Sequence, residues 1–160
     1  MATNWNDILP TPPAGNTNVR FQTDGSGNAS AYVPTSAPSL TPVDLLVQAA
    51  SIPGTDFVAA LDVLGGTYRV SAYIIVTQAA SSSSTMPSVV FTWTDADNST
   101  SQTVTATATS AGNLLTTYAQ AAVVINVKAG FAVQYSTVSY ASSGGTPMQY
   151  ALHLHIERLA

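Results

Sequence analysis

Hydrophobic and polar residues alternate along most of the chain beyond residue 45, and this alternation predicts β-strands. In the segment 67–78 the even-numbered positions from Tyr68 to Val76 are apolar or aromatic, whereas the odd-numbered ones include Arg69 and Thr77. Because successive side chains of a strand point to opposite faces, this pattern gives one buried and one more polar face. The same period of two runs through the segments 101–109, 131–140 and 149–159.

Three shorter runs, at 45–50, 55–61 and 88–94, and a long one at 114–127 complete the set of predicted strands. The first of these runs is also compatible with one helical turn, because Val43, Leu46 and Val47 would share a helical face. The serine-rich segment 79–87 has no periodicity and is predicted as a loop.

About eight strands, separated by turn residues and without a long helix, predict an all-β sandwich or closed barrel. Only 8% of the residues are charged, so exposed sheet edges would be poorly protected against association. A jelly-roll sandwich of about eight antiparallel strands, which buries its edges and flanks in an oligomer, answers this problem. We therefore predict that fold for residues 45–160.

The first 44 residues differ from the rest, because six prolines and three glycines interrupt them. Proline fixes φ and removes a hydrogen-bond donor, so neither a helix nor a central strand is expected here. One short hairpin is predicted, in which 17–23 and 28–33 flank the turn 24–27. The segment 1–44 is otherwise predicted to be an extended arm in front of the jelly-roll domain.

Composition removes several classes of function. Four basic residues and a net charge of −4 do not supply the cationic surface that nucleic-acid binding needs. The absence of cysteine excludes disulfides, thiolate metal sites and cysteine nucleophiles. Neither a signal peptide nor an apolar stretch of about 20 residues is visible, so we expect cytoplasmic synthesis without classical export or membrane insertion.

The two histidines, His153 and His155, are two positions apart on a predicted strand and therefore share a face, which Glu157 continues. Imidazole and carboxylate groups in this spacing are candidate metal ligands. The alternative, which we favour, is a solvated or intersubunit polar face opposite the core residues Leu152 and Leu154. We accordingly predict no cofactor.

The turn at Asp95, Asp97 and Asn98 carries oxygen ligands but lacks the glycine and distal glutamate of a calcium loop, which favours a plain Asx-rich turn. No serine lies in a Gly-x-Ser-x-Gly context, and no carboxylate pair stands out. The sequence therefore predicts no catalytic residues and no enzyme.

Three features suggest a carbohydrate-facing surface instead, although each has a structural explanation. The threonines of 101–109 would line one strand face, either as a glycan-facing row or as a solvated face favoured by β-propensity. The serine-rich loop 81–85 is the second feature. The third is a set of tyrosines that would stack on sugars or pack at a subunit interface: Tyr135, Tyr140 and Tyr150. Other aromatic residues are predicted to lie in the core: Tyr68, Tyr73, Phe91, Trp93 and Phe131.

Five stretches of the chain have a distinctive sequence. The opening reads LPTPPAGNTNVRFQTD at 9–24 and NASAYV at 28–33. The later stretches read GTYRVSAY at 66–73, FTWTDAD at 91–97 and MQYALHLH at 148–155. Together these stretches resemble structural proteins of tailed bacteriophages and prophages. The later part is similar in strand layout to the trimeric jelly roll of tumour necrosis factor and complement globular heads.

This resemblance implies a virion structural protein, either a capsid decoration or a tail or fibre component. It implies a homotrimer located on the virion and bound to other virion proteins through the N-terminal arm. Trp5, Ile8 and Leu9 are the apolar residues expected to anchor that arm. The alternative function is a host-surface carbohydrate-binding module at a fibre tip.

Overall fold

The computed structural model describes residues 20–23, 29–32, 40–58 and 64–159. The chain divides into two compact units, 1–37 and 38–160. In the first unit, β1 (Arg20–Thr23) and β2 (Ala29–Tyr32) form an antiparallel pair in which Arg20 lies opposite Tyr32. This pair lies where the sequence predicts a hairpin, with each strand shorter than expected.

The second unit consists of strands, and no helix occurs among its described residues. Its first strand begins at Val43, shortly before the predicted domain start at residue 45. The strands are β3 (Val43–Gln48), β4 (Thr55–Val58), β5 (Gly66–Gln78), β6 (Ser84–Met86), β7 (Ser88–Thr94), β8 (Ser101–Thr105), β9 (Ser110–Ala111), β10 (Tyr118–Val127), β11 (Val133–Val138), β12 (Ala141–Ser142) and β13 (Gln149–Arg158).

Eight of these strands build two four-stranded antiparallel sheets. The first sheet has the order β10-β5-β13-β3 and the second has the order β4-β11-β7-β8. The pairing is nested, because β3 pairs with β13, β4 with β11, β5 with β10, and β7 with β8. This nesting of outer around inner pairs is a hairpin rolled across two sheets, which is the jelly-roll topology. The predicted all-β jelly-roll fold is confirmed.

The core lies between the two sheets and is formed by the apolar residues on one face of each strand. On β5 the residues Tyr68, Val70 and Ile74 are almost fully buried, as the period of two predicts. On β13 the buried set includes Leu152 and Leu154. Full burial of each such side chain stabilises the fold by about 1.5–3 kcal/mol relative to exposure.

The three shortest strands form a small third sheet in the order β12-β6-β9. Its central strand β6 lies inside the segment 79–87, so the prediction of a loop over that whole segment is wrong. Met86 is fully buried there and contributes to the same core. A single apolar residue after four serines shows no periodicity, which explains why the sequence pattern does not reveal the strand.

Two other strands are shorter than predicted. In 114–127 the strand β10 begins only at Tyr118, because a turn precedes it and the Thr117 N–H donates to the Leu114 carbonyl. In 101–109 the strand β8 ends at Thr105.

The run 45–50, for which a helical turn was the alternative, forms strand β3. No helix among the described residues is long and apolar enough to cross a membrane.

Candidate functional site

The solvent side of the first sheet carries the main cluster of polar and aromatic side chains, and we call it the outer face. Since Leu152 and Leu154 of β13 point into the core, His153 and His155 point outward. The strand registers then set the outer face as three cross-strand rows. These rows are Gln120, Tyr73, His153 and Asp44; Ala122, Ser71 and His155; and Val124, Arg69 and Glu157.

The middle row explains a groove in this face. Ser71 and Ala122 are small, whereas the flanking rows carry Tyr73 on one side and Arg69 on the other. The result is a depression with a volume of about 590 Å³, lined by residues of β3, β5, β10 and β13. It is open to solvent, because the Asp44 and His153 side chains remain 62% and 39% exposed.

Aromatic rings form one wall of the groove. The Tyr73 ring centroid lies 6.0 Å from that of His153, with the planes tilted by 34°. The Tyr118 ring lies at the same centroid distance of 6.0 Å on the other side. Because Tyr73 is half-buried on the outer face, the prediction that it belongs to the core is wrong. Ring contacts of this kind hold the wall in place.

The candidate metal ligands do lie on one face, as predicted, but their partners separate them. The Nδ1 atom of His153 lies 2.6 Å from Oδ1 of Asp44. The Glu157 carboxylate forms an ion pair with Arg69. No group of three or more His, Asp or Glu side chains arranged to hold a metal occurs in the described part of the chain.

The edge strand β10 is a second feature of this sheet. It pairs with β5 along its length, and on its other side the described residues give one bridge, between Asp95 and Val127 at the strand end. The sequence YAQAAVVINV contains no charged residue. Large apolar side chains on this strand and on the preceding turn are exposed: Leu114, Leu115, Tyr118 and Val124.

The serine-rich loop is a structural unit. The Ser83 hydroxyl oxygen lies 2.8 Å from that of Ser143, and the Ser84 hydroxyl donates to Asn113 Oδ1. Ser81 Oγ accepts a hydrogen bond from the Thr146 N–H. These contacts join β6 to neighbouring loops, so the side chains are engaged within the protein rather than directed to a ligand.

The threonine row does not persist along 101–109. Thr103 and Thr105 are exposed, but Thr107 is only 3% exposed and its Oγ1 accepts a hydrogen bond from the Val89 N–H. The chain leaves the strand after Thr105, and the period of two ends with it. A continuous four-threonine face is therefore not formed.

The tyrosines predicted to line a sugar-binding or interface surface lie elsewhere. Tyr135 and Tyr150 are core residues, and the Tyr140 hydroxyl donates to the Met148 carbonyl.

Phe131 is 44% exposed, so its assignment to the core is wrong. Its ring lies 5.3 Å from Lys128 Nζ, a cation–π contact at the surface.

The acidic turn forms an Asx-rich turn, the favoured interpretation of its sequence. Asp95 Oδ1 accepts hydrogen bonds from the Asp97 and Asn98 backbone N–H groups. The Asp97 carboxylate accepts from Asn126 Nδ2, and Asn98 Oδ1 accepts from Thr100. The side-chain oxygens thus stabilise the turn itself.

The predicted arm-anchoring residues, Trp5, Ile8 and Leu9, lie outside the described residues.

The sequence pattern does not reveal the groove. The alternation in 67–78 does place Arg69, Ser71 and Tyr73 on one face. The missing information is the register, which puts Ala122 beside Ser71 and His153 beside Tyr73. Two small residues from distant strands make a depression only once they are neighbours.

Comparison with known proteins adds little to the description of this site. No protein-family model matches the chain, and no curated protein matches it. Among solved structures, the chain is similar to the N-terminal CBM22-1 and GH10 modules of Clostridium thermocellum endo-1,4-beta-D-xylanase 10B, a complex with xylohexaose. That match has 10% identity and a TM-score of 0.37, and it covers 67% of this chain and 19% of the other. An overlap this partial assigns neither a family nor a ligand to the protein.

Proposed function

We propose that this protein is a structural component of a tailed-bacteriophage virion. Its jelly-roll domain self-associates as a homotrimer, and its N-terminal arm, residues 1–44, attaches the trimer to other virion proteins. The phage context and the three-fold symmetry rest on the resemblance of the segments at 9–24, 66–73 and 148–155 to virion proteins. The tendency to self-associate rests on the geometry of β10.

The single observation that supports self-association most strongly is the uncharged edge of β10, along which no other strand of the described residues pairs. Free edges pair with other chains unless charge, proline or a covering segment prevents it. This strand has neither charge nor proline, and within the described part of the chain its outer side is bridged only at Val127, by Asp95. Tyr118 and Val124 are 57% and 61% exposed beside this edge. A second copy would bury these apolar side chains, which favours association by about 25 cal/mol per Å² of apolar surface.

The low charge of the chain fits the same function. With 8% charged residues, few ion pairs must be desolvated when copies pack together. In the described residues the Arg69–Glu157 ion pair and the His153–Asp44 contact both lie on the outer face. The protein would act mechanically, as a stable block whose arm is its attachment point.

Reconstitution tests the virion role. Particles of the phage that encodes the protein would be assembled without it and then mixed with purified full-length chain. The intact protein should co-sediment with these particles. A variant in which Trp5, Ile8 and Leu9 are all replaced by alanine should remain folded and stay in the supernatant. Failure of the intact protein to bind would contradict the virion role, and binding of the triple variant would contradict the anchoring role of these residues.

A further inference from the structure

We infer that the groove on the outer face is a binding site for a neutral saccharide. The groove is built by the small residues Ser71 and Ala122 between two rows of larger side chains. Its volume of about 590 Å³ lies within the range of about 300–1,000 Å³ that is usual for small-ligand sites. This inference concerns the jelly-roll domain alone and does not depend on attachment to a virion.

The polar groups in the groove suit hydroxyl-rich ligands. The side chains of Ser71, Gln120 and His155 have no hydrogen-bond partner among the described residues. Together they offer a hydroxyl, an amide and an imidazole, which can each donate or accept hydrogen bonds. Sugar hydroxyls also donate and accept, so one ring can satisfy several of these groups.

An apolar occupant fits the groove less well. A hydrophobic peptide face would remove these polar side chains from water without giving them partners, at a cost of about 1–3 kcal/mol for each buried group. These three polar side chains, set in a largely apolar groove, therefore favour a saccharide, which has both hydroxyl groups and C–H faces, over a wholly apolar segment of another protein. The exposed apolar residues Tyr118 and Val124 lie on β10, at the margin of the groove.

The Tyr73 ring gives the site its apolar component. Pyranose rings have a face of C–H groups, which packs on aromatic side chains. Tyr73 is half-buried, and the neighbouring rings of His153 and Tyr118 restrict its movement. The contact of His153 Nδ1 with Asp44 orients the imidazole in the same wall. A ring held in this way loses little freedom when a ligand packs against it.

The charge of the groove selects a neutral ligand. The Asp44 carboxylate lies in its wall, and no lysine or arginine is among the lining residues. The nearest cationic side chain on this face, Arg69 in the next row, is paired with Glu157. Sialylated or phosphorylated glycans would meet the Asp44 carboxylate with no lysine or arginine beside it, so they should bind less tightly than neutral ones.

The test uses the full-length protein and an array of neutral oligosaccharides of glucose, galactose, mannose and N-acetylglucosamine, with a sialylated set for comparison. The strongest neutral oligosaccharide would then be titrated by calorimetry at up to about 5 mM, which reveals dissociation constants near 1 mM. Tyr73→Ala should weaken binding by about tenfold or more. Ala122→Trp should abolish binding, because it fills the groove without removing a contact. Phe131→Ala, which removes an exposed aromatic ring outside the groove, should leave the affinity unchanged.

Thermal unfolding of each variant shows whether it remains folded, and Ala122→Trp keeps the test valid if Tyr73→Ala does not fold. The inference is overturned if no neutral oligosaccharide binds the intact protein at these concentrations. It is equally overturned if binding persists in Ala122→Trp, or if the sialylated set binds more tightly than the neutral one. Loss of self-association in Ala122→Trp without any saccharide binding by the intact protein would assign the groove to a protein interface instead.

Discussion

The hydroxyl oxygens of Tyr150 and Thr137 lie 2.9 Å apart, and this contact joins the two sheets of the jelly roll. Tyr150 belongs to β13 in the first sheet and Thr137 to β11 in the second. The Tyr150 hydroxyl donates to the Ala50 carbonyl at 2.7 Å, while the Ile52 N–H donates to Thr137 Oγ1 at 2.7 Å. One chain of hydrogen bonds thus fixes both sheets to the connection between β3 and β4.

Replacing Tyr150 by phenylalanine should therefore destabilise the fold. The Ala50 carbonyl and the Thr137 hydroxyl would lose a partner, and the expected loss is about 1–3 kcal/mol in the free energy of unfolding. Tyr68 provides a matched control, because it is equally buried and its hydroxyl has no hydrogen-bond partner among the described residues. Tyr68→Phe should be neutral or slightly stabilising. Urea unfolding at one fixed protein concentration measures both, and equal losses in the two variants would contradict the account.

Tyr150 should also make stability depend on pH in the alkaline range. Burial raises the pKa of Tyr150 above its usual value of 10.0, and the Thr137 hydrogen bond opposes this only in part. The folded state therefore favours the neutral phenol. Its contribution is complete below the pKa of the unfolded chain and is lost as pH rises through the higher folded pKa.

The stability difference between the intact protein and Tyr150→Phe should consequently shrink as pH rises above about 10. Unfolding free energies of both proteins, measured in urea between about pH 8 and pH 11, give this difference directly. A difference that stays constant or grows over this range would show that the phenol does not titrate as its burial requires.

Thr107 should be much less tolerant of substitution than its neighbour in the threonine run. Its buried Oγ1 accepts the Val89 N–H at 2.9 Å, so Thr107→Val would leave a buried donor unpaired. We expect a loss of about 1–3 kcal/mol. Thr105→Val replaces an exposed strand residue and should change stability by no more than about 0.5 kcal/mol. Comparable effects of the two substitutions would place Thr107 at the surface.

Gly112 marks a close approach of the chain to the core. A Cβ atom added there would lie 1.9 Å from Sδ of Met148, a side chain that is fully buried. Because Met148 has little room to move, Gly112→Ala should cost about 1–3 kcal/mol. Gly145→Ala is the control, since no atom of the described residues lies within 4 Å of its added Cβ. Thermal unfolding should show a lower melting temperature for the first variant alone, and an unchanged value would mean that Met148 repacks freely.

The strands were largely predictable because burial on one face leaves a period of two in the sequence. The segment 67–78 gives β5 almost to the residue, and 88–94 gives β7. Strand β6 was not predictable, because one buried methionine after several serines makes no pattern. Thr107 was assigned to the wrong environment because the alternation continues in the sequence after the strand has ended.

The candidate site was less predictable, because it depends on which strands are neighbours and on their register. The strand pattern of β13 correctly places His153 and His155 on one outward face. It does not reveal that Asp44 lies beside His153, since these residues are 109 positions apart in the chain. Nor does it bring Ser71 next to Ala122. Such pairs follow from strand order and register. Strands with the same alternation could pair in other orders and registers, so the alternation alone does not determine these neighbours.

Sedimentation equilibrium of the full-length protein tests the central claim, self-association through the β10 edge, most directly. We expect a trimer with three times the 16.5 kDa mass of the chain. Val124→Glu, which places a charge beside that edge, should yield monomers. Val138→Glu, at an exposed apolar position of the second sheet, should leave the trimer intact. A monomeric intact protein, or a trimer unaffected by Val124→Glu, would contradict the claim.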